Sequence, residues 1–244
     1  MTAPALPPQT SAFRKLWLEA LSLWQLGLSN LLARWWQMFL IIGIGAALVL
    51  ADRGGMEQQL FQQIRQPDND FLTANARWLS RWGDIRWALI VAGILFAVGL
   101  AFGSPRWRQI AWATLFAILA STVLVNVFRG ALGRARPNTE FSATFHGPQL
   151  KKNGVGFDHK YLAFPSGHAS SAFAPAAAIA AAAPMIGIPC VIFAGGVSWS
   201  RMQLNQHRPL DVMTGAALGT FIGLCFGTAV PGAKVRMRGQ KPRP

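Results

Sequence analysis

Three short stretches of the chain carry residues that can do chemistry on a phosphate group. In chain order they are Arg129 with Arg136-Pro137, then Pro165-Ser166-Gly167-His168, then Ser200-Arg201 with His207 and Asp211. Phosphoryl transfer needs an in-line nucleophile and positive charge around the phosphate oxygens. Arginine supplies paired N–H donors that match those oxygens, so three arginines can neutralise a phosphate without a metal ion. The stretches therefore predict a phosphate site made of protein groups alone.

The first stretch predicts two guanidinium groups on one side of a helix. Arg129 and Arg136 are seven residues apart, so they share a helical face if the helix continues through Gly130 and Gly133. Pro137 marks the expected boundary of that helix, because proline disfavours the helical conformation of the residue before it.

The second stretch precedes an apolar segment, which predicts a helix that begins there. Ser166 is a suitable N-cap, and Gly167 allows close approach to the backbone. The free N–H groups and the dipole of a helix N-terminus bind phosphate. His168 is then expected in the first turn, beside the anion.

The third stretch contains a candidate nucleophile. His207 and Asp211 are four residues apart, so they face the same way on a helix that Pro209 can begin. A carboxylate bonded to one ring nitrogen would set the tautomer and leave the other nitrogen free to attack. We therefore expect Asp211 to orient His207.

Residue types, spacings and order in the three stretches resemble the signature of the type 2 phosphatidic acid phosphatase (PAP2) superfamily, over roughly residues 125–215. One position departs, because Arg129 stands where the family usually has Lys, and a planar fork replaces a compact ammonium. The resemblance implies that His207 forms a phosphohistidine, that Asp211 orients it and that His168 protonates the leaving alcohol. It also implies a phosphate cradle made of Arg129, Arg136, Ser166, Gly167 and Arg201.

The composition indicates a membrane protein without a metal centre. Of 244 residues, 52% are hydrophobic and 13% charged, whereas soluble domains carry about 25% charged residues. Cys190 and Cys225 lie in apolar runs, and no cluster of Cys, His or carboxylates has the spacing of metal ligands, so we expect no cofactor. Residues 1–11 lack the basic and apolar regions of a cleavable signal peptide.

The charge balance is strongly basic, with 23 Lys+Arg against 9 Asp+Glu and a formal net charge of +14. Basic flanks beside anionic lipid and a phosphate site both account for such an excess. The basic residues alternate with apolar spans and no nucleic-acid motif occurs, so we expect no nucleic-acid partner.

Apolar spans predict an all-α fold: an integral membrane bundle of six transmembrane helices with an N-terminal amphipathic helix. The amphipathic helix is expected at residues 16–32, either on the membrane surface, which we favour, or packed on the bundle. The six spans are residues 35–51, 85–102, 110–128, 169–183, 185–197 and 212–230. The short fourth and fifth spans suit helices partly enclosed by neighbours. Glycines recur every four residues on the sixth span and predict a close-packing face: Gly215, Gly219, Gly223 and Gly227.

These spans divide the chain into three regions. Residues 1–34 form the tail and amphipathic helix, 35–230 the catalytic membrane domain, and 231–244 a basic tail. Six spans place both termini on one side, and the positive-inside rule makes that side cytoplasmic. The three stretches then share the opposite face. We therefore expect a multi-pass protein of the bacterial inner membrane with its site facing the periplasm.

The leading functional hypothesis is a membrane lipid phosphatase that hydrolyses a phosphomonoester or pyrophosphate on a lipid. The long basic loop at 138–164 favours a bulky anionic headgroup, such as lipid A or a related glycolipid phosphate. Undecaprenyl pyrophosphate, phosphatidylglycerol phosphate and phosphatidic acid remain alternatives, and so does a lipid phosphotransferase, which differs only in its acceptor. A non-catalytic lipid-binding or transport protein would tolerate the loss of His168, His207 or Asp211, and all three are present.

Overall fold

The computed structural model describes residues 12–152 and 154–231; residues 1–11, Asn153 and the basic tail from 232 onwards lie outside the described residues. The described ranges contain nine α-helices, one short 3₁₀ turn at His159–Tyr161 and two isolated β-bridges. The helices are α1 (Ala12–Leu32), α2 (Trp35–Ala51), α3 (Met56–Ile64), α4 (Asp70–Arg81), α5 (Ile85–Ala101), α6 (Pro105–Leu132), α7 (Gly167–Ala182), α8 (Pro184–Gln203) and α9 (Pro209–Gly227). The predicted all-α class is therefore confirmed.

Each of the six apolar spans corresponds to one helix, α2 or one of α5 to α9. Helices α6, α8 and α9 are each long and apolar enough to cross a membrane. Two further candidates are bent pairs, α1 with α2 at 55° and α4 with α5 at 58°, which raises the number of candidate spans to five. Large apolar side chains such as Phe39, Ile94 and Ile192 are exposed on α2, α5 and α8, as expected for surfaces that face lipid.

Helix α1 packs one of its faces on the bundle. Leu23 is buried, and the Trp24 ring lies 5.8 Å from Phe226 and 5.3 Å from Phe116. Asn30 Nδ2 donates a hydrogen bond to the Cys225 carbonyl at 2.9 Å. Of the two arrangements weighed for this helix, the structure therefore has the packed one; its depth in a membrane stays a prediction.

The polar segment between the first two spans forms two helices that the sequence did not clearly indicate. The Asp52 carboxylate begins α3 by accepting hydrogen bonds from the N–H groups of Met56 at 2.7 Å and Glu57 at 2.9 Å. Asn69 begins α4 in the same way, because its side chain accepts from Leu72 N at 3.0 Å. Both helices lie at the end of the bundle where the three stretches meet.

Helices α7 and α9 run parallel with almost no space between their backbones. A Cβ atom on any glycine of the sixth span would lie only 2.3–2.5 Å from a carbonyl oxygen of α7 or its N-cap. The pairs follow in the same order along both helices: Gly215 with Ser166, Gly219 with Ser170, Gly223 with Ala174, and Gly227 with Ala178. The predicted close-packing face is confirmed, and most of α7 is buried among its neighbours.

We expect Gly223→Ala to destabilise the protein. The added methyl group would meet the Ala174 carbonyl and force the two helices apart, at a cost of about 1–3 kcal/mol. Thermal unfolding in detergent measures this as a lower Tm. Gly93→Ala is the matched control, since nothing lies within 4 Å of a Cβ built on that helical glycine. An unchanged Tm for Gly223→Ala would contradict the backbone contact.

Candidate active site

The three predicted stretches meet at one end of the bundle. Helices α7 and α9 begin there, and α6 and α8 end there. The start of α7 is joined to α9 by a hydrogen bond from Ser166 N to the Asp211 carbonyl, at 2.9 Å. The path of the chain explains why separated stretches can build one site. Helix α7 runs away from this end of the bundle, α8 returns to it, and α9 then runs beside α7.

The second stretch is placed as predicted. Ser166 is the N-cap of α7, with its Oγ accepting from Ala169 N at 3.5 Å, and His168 lies in the first turn. A Cβ on Gly167 would lie 2.7 Å from Arg129 Nη1, so the glycine admits the guanidinium against the backbone. The His168 ring in turn packs on Gly83, between α4 and α5.

The first stretch differs from the prediction. Helix α6 ends at Leu132, because Gly133 adopts a left-handed conformation with φ 62° and its N–H caps the Arg129 carbonyl at 3.0 Å. Arg136 therefore lies in the following loop, so the condition for a helical face shared with Arg129, a helix that continues through Gly133, is not met. Its Nε donates to the His159 carbonyl at 3.0 Å instead.

The three cradle arginines are held by uncharged partners, each at 2.5 Å: Arg129 by Asn126 Oδ1, Arg136 by Gln206 Oε1 and Arg201 by Ser80 Oγ. The buried Nε atoms of Arg129 and Arg201 have no hydrogen-bond partner within the described ranges, and none of the three side chains forms an ion pair there. Their positive charge is therefore not neutralised by the protein and can bind an anion.

His207 is buried at this site with one ring nitrogen occupied. Its Nδ1 lies 2.8 Å from the Ala163 carbonyl, which can only accept, so Nδ1 carries the proton and Nε2 keeps its lone pair. Burial, and then the positive charges of Arg136 and Arg201, hold the pKa of His207 well below its usual 6.5. The ring is therefore neutral near pH 7.

The sequence led us to expect a hydrogen bond between Asp211 and His207, but the structure does not contain one. Its Oδ2 is 3.9 Å from His207 Nδ1 and accepts instead from the backbone N–H of Arg208 at 2.8 Å. Its Oδ1 accepts from Arg134 at 2.6 Å. The Ala163 carbonyl has taken the place predicted for the carboxylate.

Two buried residues, Arg134 and Glu57, belong to the hydrogen-bond network around Asp211, and the sequence analysis gave neither of them a role. Arg134 lies inside the first stretch, but its charge was not assigned to any contact. Glu57 comes from α3 and binds Arg134 with both carboxylate oxygens, at 2.5 and 3.3 Å. The position of Arg134 inside a motif could have indicated that it belongs to the site. Nothing in the sequence distinguishes Glu57 from a carboxylate on the surface.

Two cavities share Trp87 in their walls, and His168 lines the first of them. The first has a volume of about 550 Å³ and is lined by polar and charged side chains together with Trp87: Ser80, Arg81, Asp84, Arg86 and His168. The second, of about 280 Å³, is apolar and lies between α5, α7 and α8, where Trp82, Pro175 and Phe193 line it. Trp87 lines both, so the polar cavity borders the apolar one.

The long loop between α6 and α7 folds over this end of the bundle. His146 contacts Ser142 and packs its ring on Tyr161 at 5.2 Å, which gives it a place in the loop structure. The side chains of Lys151, Lys152 and Lys160 are exposed. Within the described ranges, no group of three His, Cys, Asp or Glu residues is placed to hold a metal ion.

Comparison of the sequence with known protein families identifies the class of protein to which this site and fold belong. The sequence profile of the PAP2 superfamily matches residues 110–233, about half of the chain, and contains all three stretches. The chain therefore belongs to the PAP2 superfamily.

Characterised relatives are phosphatases of membrane lipids. The lipid A 1-phosphatase of Rhizobium johnstonii is 27% identical over 158 residues, which cover 60% of this chain and 63% of the relative, less than two thirds of its length. The decaprenylphosphoryl-5-phosphoribose phosphatase of Mycobacterium tuberculosis is 30% identical over 190 residues, 77% of this chain and 97% of that protein.

A solved structure shares the fold. The crystal structure of a transmembrane PAP2-type phosphatidylglycerolphosphate phosphatase from Bacillus subtilis matches with a TM-score of 0.59 at 19% identity, over 84% of this chain and 98% of that one. At this identity the similarity concerns the helical architecture only.

Proposed function

We propose that this phosphatase hydrolyses a phosphate ester of lipid A or a related glycolipid through a phosphohistidine on His207. The observation that carries the chemistry is the cluster of three arginines with uncharged partners around a neutral histidine. Positive charge without a carboxylate favours an anion, and a neutral ring favours nucleophilic attack.

The reaction has two steps. His207 Nε2 attacks phosphorus, and the bond between phosphorus and the lipid oxygen breaks while His168 protonates that oxygen. Water then attacks the phosphohistidine, His168 takes its proton, and inorganic phosphate leaves. Arg129, Arg136 and Arg201 neutralise the phosphate oxygens, and the Gly167 N–H at the start of α7 and the Ser166 hydroxyl supply further donors.

Three features support a lipid A-type substrate. The rhizobial relative acts on lipid A, and exposed lysines on the loop after Arg136 suit a large anionic headgroup. The apolar cavity that borders the polar cavity at His168 has room for part of a hydrocarbon chain. A polyprenyl-linked sugar phosphate is the second candidate, because the mycobacterial relative is matched over 97% of its length.

The direct test is phosphate release by the purified protein from a lipid panel in the presence of EDTA. We expect the highest kcat/KM on lipid A, lower values on a polyprenyl-linked sugar phosphate, phosphatidylglycerol phosphate and phosphatidic acid, and no activity for His207→Ala. A highest value on the polyprenyl substrate would instead favour the second candidate. Activity lost on chelation and restored by magnesium would contradict a site built from arginine alone.

The two histidines should differ in their response to the leaving group. General acid assistance is worth roughly 10²–10⁴-fold, but it matters little for a leaving group that is already stable, such as p-nitrophenolate. We expect His168→Ala to lose much more activity on lipid phosphate than on p-nitrophenyl phosphate, and His207→Ala to lose nearly all activity on both. Burst kinetics must first establish that formation of the phosphoenzyme limits the rate. Equal losses of His168→Ala on both substrates would assign His168 to phosphate binding instead.

We also propose six spans in the bacterial inner membrane, with the site on the periplasmic side. Arg106 and Arg108 stand at the opposite end of α6 from Arg129, where the positive-inside rule places the cytoplasm. A reporter fused after Pro244 should therefore be cytoplasmic, and one inserted after Lys152 periplasmic. Both reporters on the same side would exclude this arrangement.

A further inference from the structure

Glu57 joins a buried ionic network from outside the three stretches. Its side chain is 6% exposed, and its backbone N–H is held by Asp52 at 2.9 Å. The carboxylate binds Arg134 with both oxygens and also accepts a hydrogen bond from Leu210 N at 2.9 Å. Glu57 therefore contacts the first turn of α9 directly and Arg134 at the same time.

The network continues from Arg134 to the segment that carries His207. Arg134 donates to Asp211 Oδ1 at 2.6 Å, and Asp211 Oδ2 accepts from the N–H of Arg208, the neighbour of His207. The side chains of Arg134 and Asp211 are 1% and 0% exposed. Glu57 thus reaches the 207–211 turn by two routes: through Leu210 N, and through Arg134 and Asp211.

Charge explains why both routes depend on Glu57. Buried ions require partners, and removing one partner leaves an uncompensated charge that the surroundings must rearrange to accommodate. Without the Glu57 carboxylate, Arg134 would keep only Asp211 as an ionic partner and Leu210 N would lose its acceptor. The turn before α9 would then be free to shift relative to the Ala163 carbonyl that orients the His207 ring.

We propose that Glu57 is a positioning residue for catalysis: it fixes His207 for in-line attack by clamping the first turn of α9 and the Arg134–Asp211 pair. The proposal rests on the role of His207 in the proposed function. Within the described residues, Glu57 forms no hydrogen bond with Arg129, Arg136 or Arg201, so phosphate binding should not depend on it.

The test is the kinetics of Glu57→Gln, which keeps the shape of the side chain and removes its charge. A misplacement of a reacting group by about 1 Å can cost 10²-fold in rate. We expect kcat on p-nitrophenyl phosphate to fall by up to roughly 10²-fold with KM nearly unchanged. Normal kcat in the folded variant would overturn the proposal, and so would a loss that appears in KM alone.

Glu19→Gln is the matched control. Glu19 forms another largely buried ion pair, with Arg108 at 3.2 Å, but between α1 and α6 and outside the catalytic network. Its loss should lower Tm without lowering kcat. If both variants lower Tm and neither lowers kcat, Glu57 is merely structural.

Glu57→Asp covers the case in which Glu57→Gln does not fold. It keeps the negative charge on a shorter side chain, and we expect a monodisperse protein whose kcat is lower than that of the wild type. A folded Glu57→Asp with wild-type kcat would overturn the proposal.

A double-mutant cycle with Asp211→Asn separates positioning through the network from an independent effect. We expect Glu57→Gln to cause a smaller fold-loss in the Asp211→Asn background than in the wild type. Equal losses in the two backgrounds would contradict action through Asp211. If His207→Ala retains turnover, the proposed function fails; if only the Glu57 results deviate, the positioning role alone fails.

Discussion

The contact between α7 and α9 is the constraint on which the rest of this structure depends. Glycines on α9 let the two backbones touch, so that each fourth residue of one helix meets a carbonyl of the other. This register leaves no freedom to slide, and it places Ser166 and His168 beside the turn that carries His207 and Asp211. In a lipid environment, where the hydrophobic effect does not drive helices together, such close packing is a principal source of association. The geometry of the site is therefore set by backbone contact over several turns of helix.

The arginines at this end of the bundle differ in whether a carboxylate neutralises their charge. Arg134 is paired with two carboxylates and is buried, so it serves the structure. The arginines of the cradle are paired with a hydroxyl and two amides, so their charge remains available. The same residue type thus has opposite roles, and the partner decides which. Such a site is suited to an anion because the protein does not neutralise its own cations.

Much of this arrangement could be predicted from the chain alone. The helices follow from apolar runs, the start of α7 from Ser166, and the close-packing face from glycines at a spacing of four. The three stretches that meet at one end were recognisable from residue types and order. These features are local or periodic, so sequence records them directly. Segment 53–84 was harder to predict, because two short helices that begin at polar caps have no long apolar period.

What the sequence by itself determined is the kind of chemistry and the helices that carry it, because both follow from residue type and spacing. Only the tertiary structure decided which partner each polar group has. Gly133 ended α6 before Arg136, the Ala163 carbonyl accepted the His207 hydrogen bond that was expected to go to a carboxylate, and Glu57 paired with an arginine 77 positions away. The order of residues in the chain allows many other carboxylates and carbonyls as partners for these groups. The choice depends on distances of a few ångströms between segments, which exist only once the helices have packed.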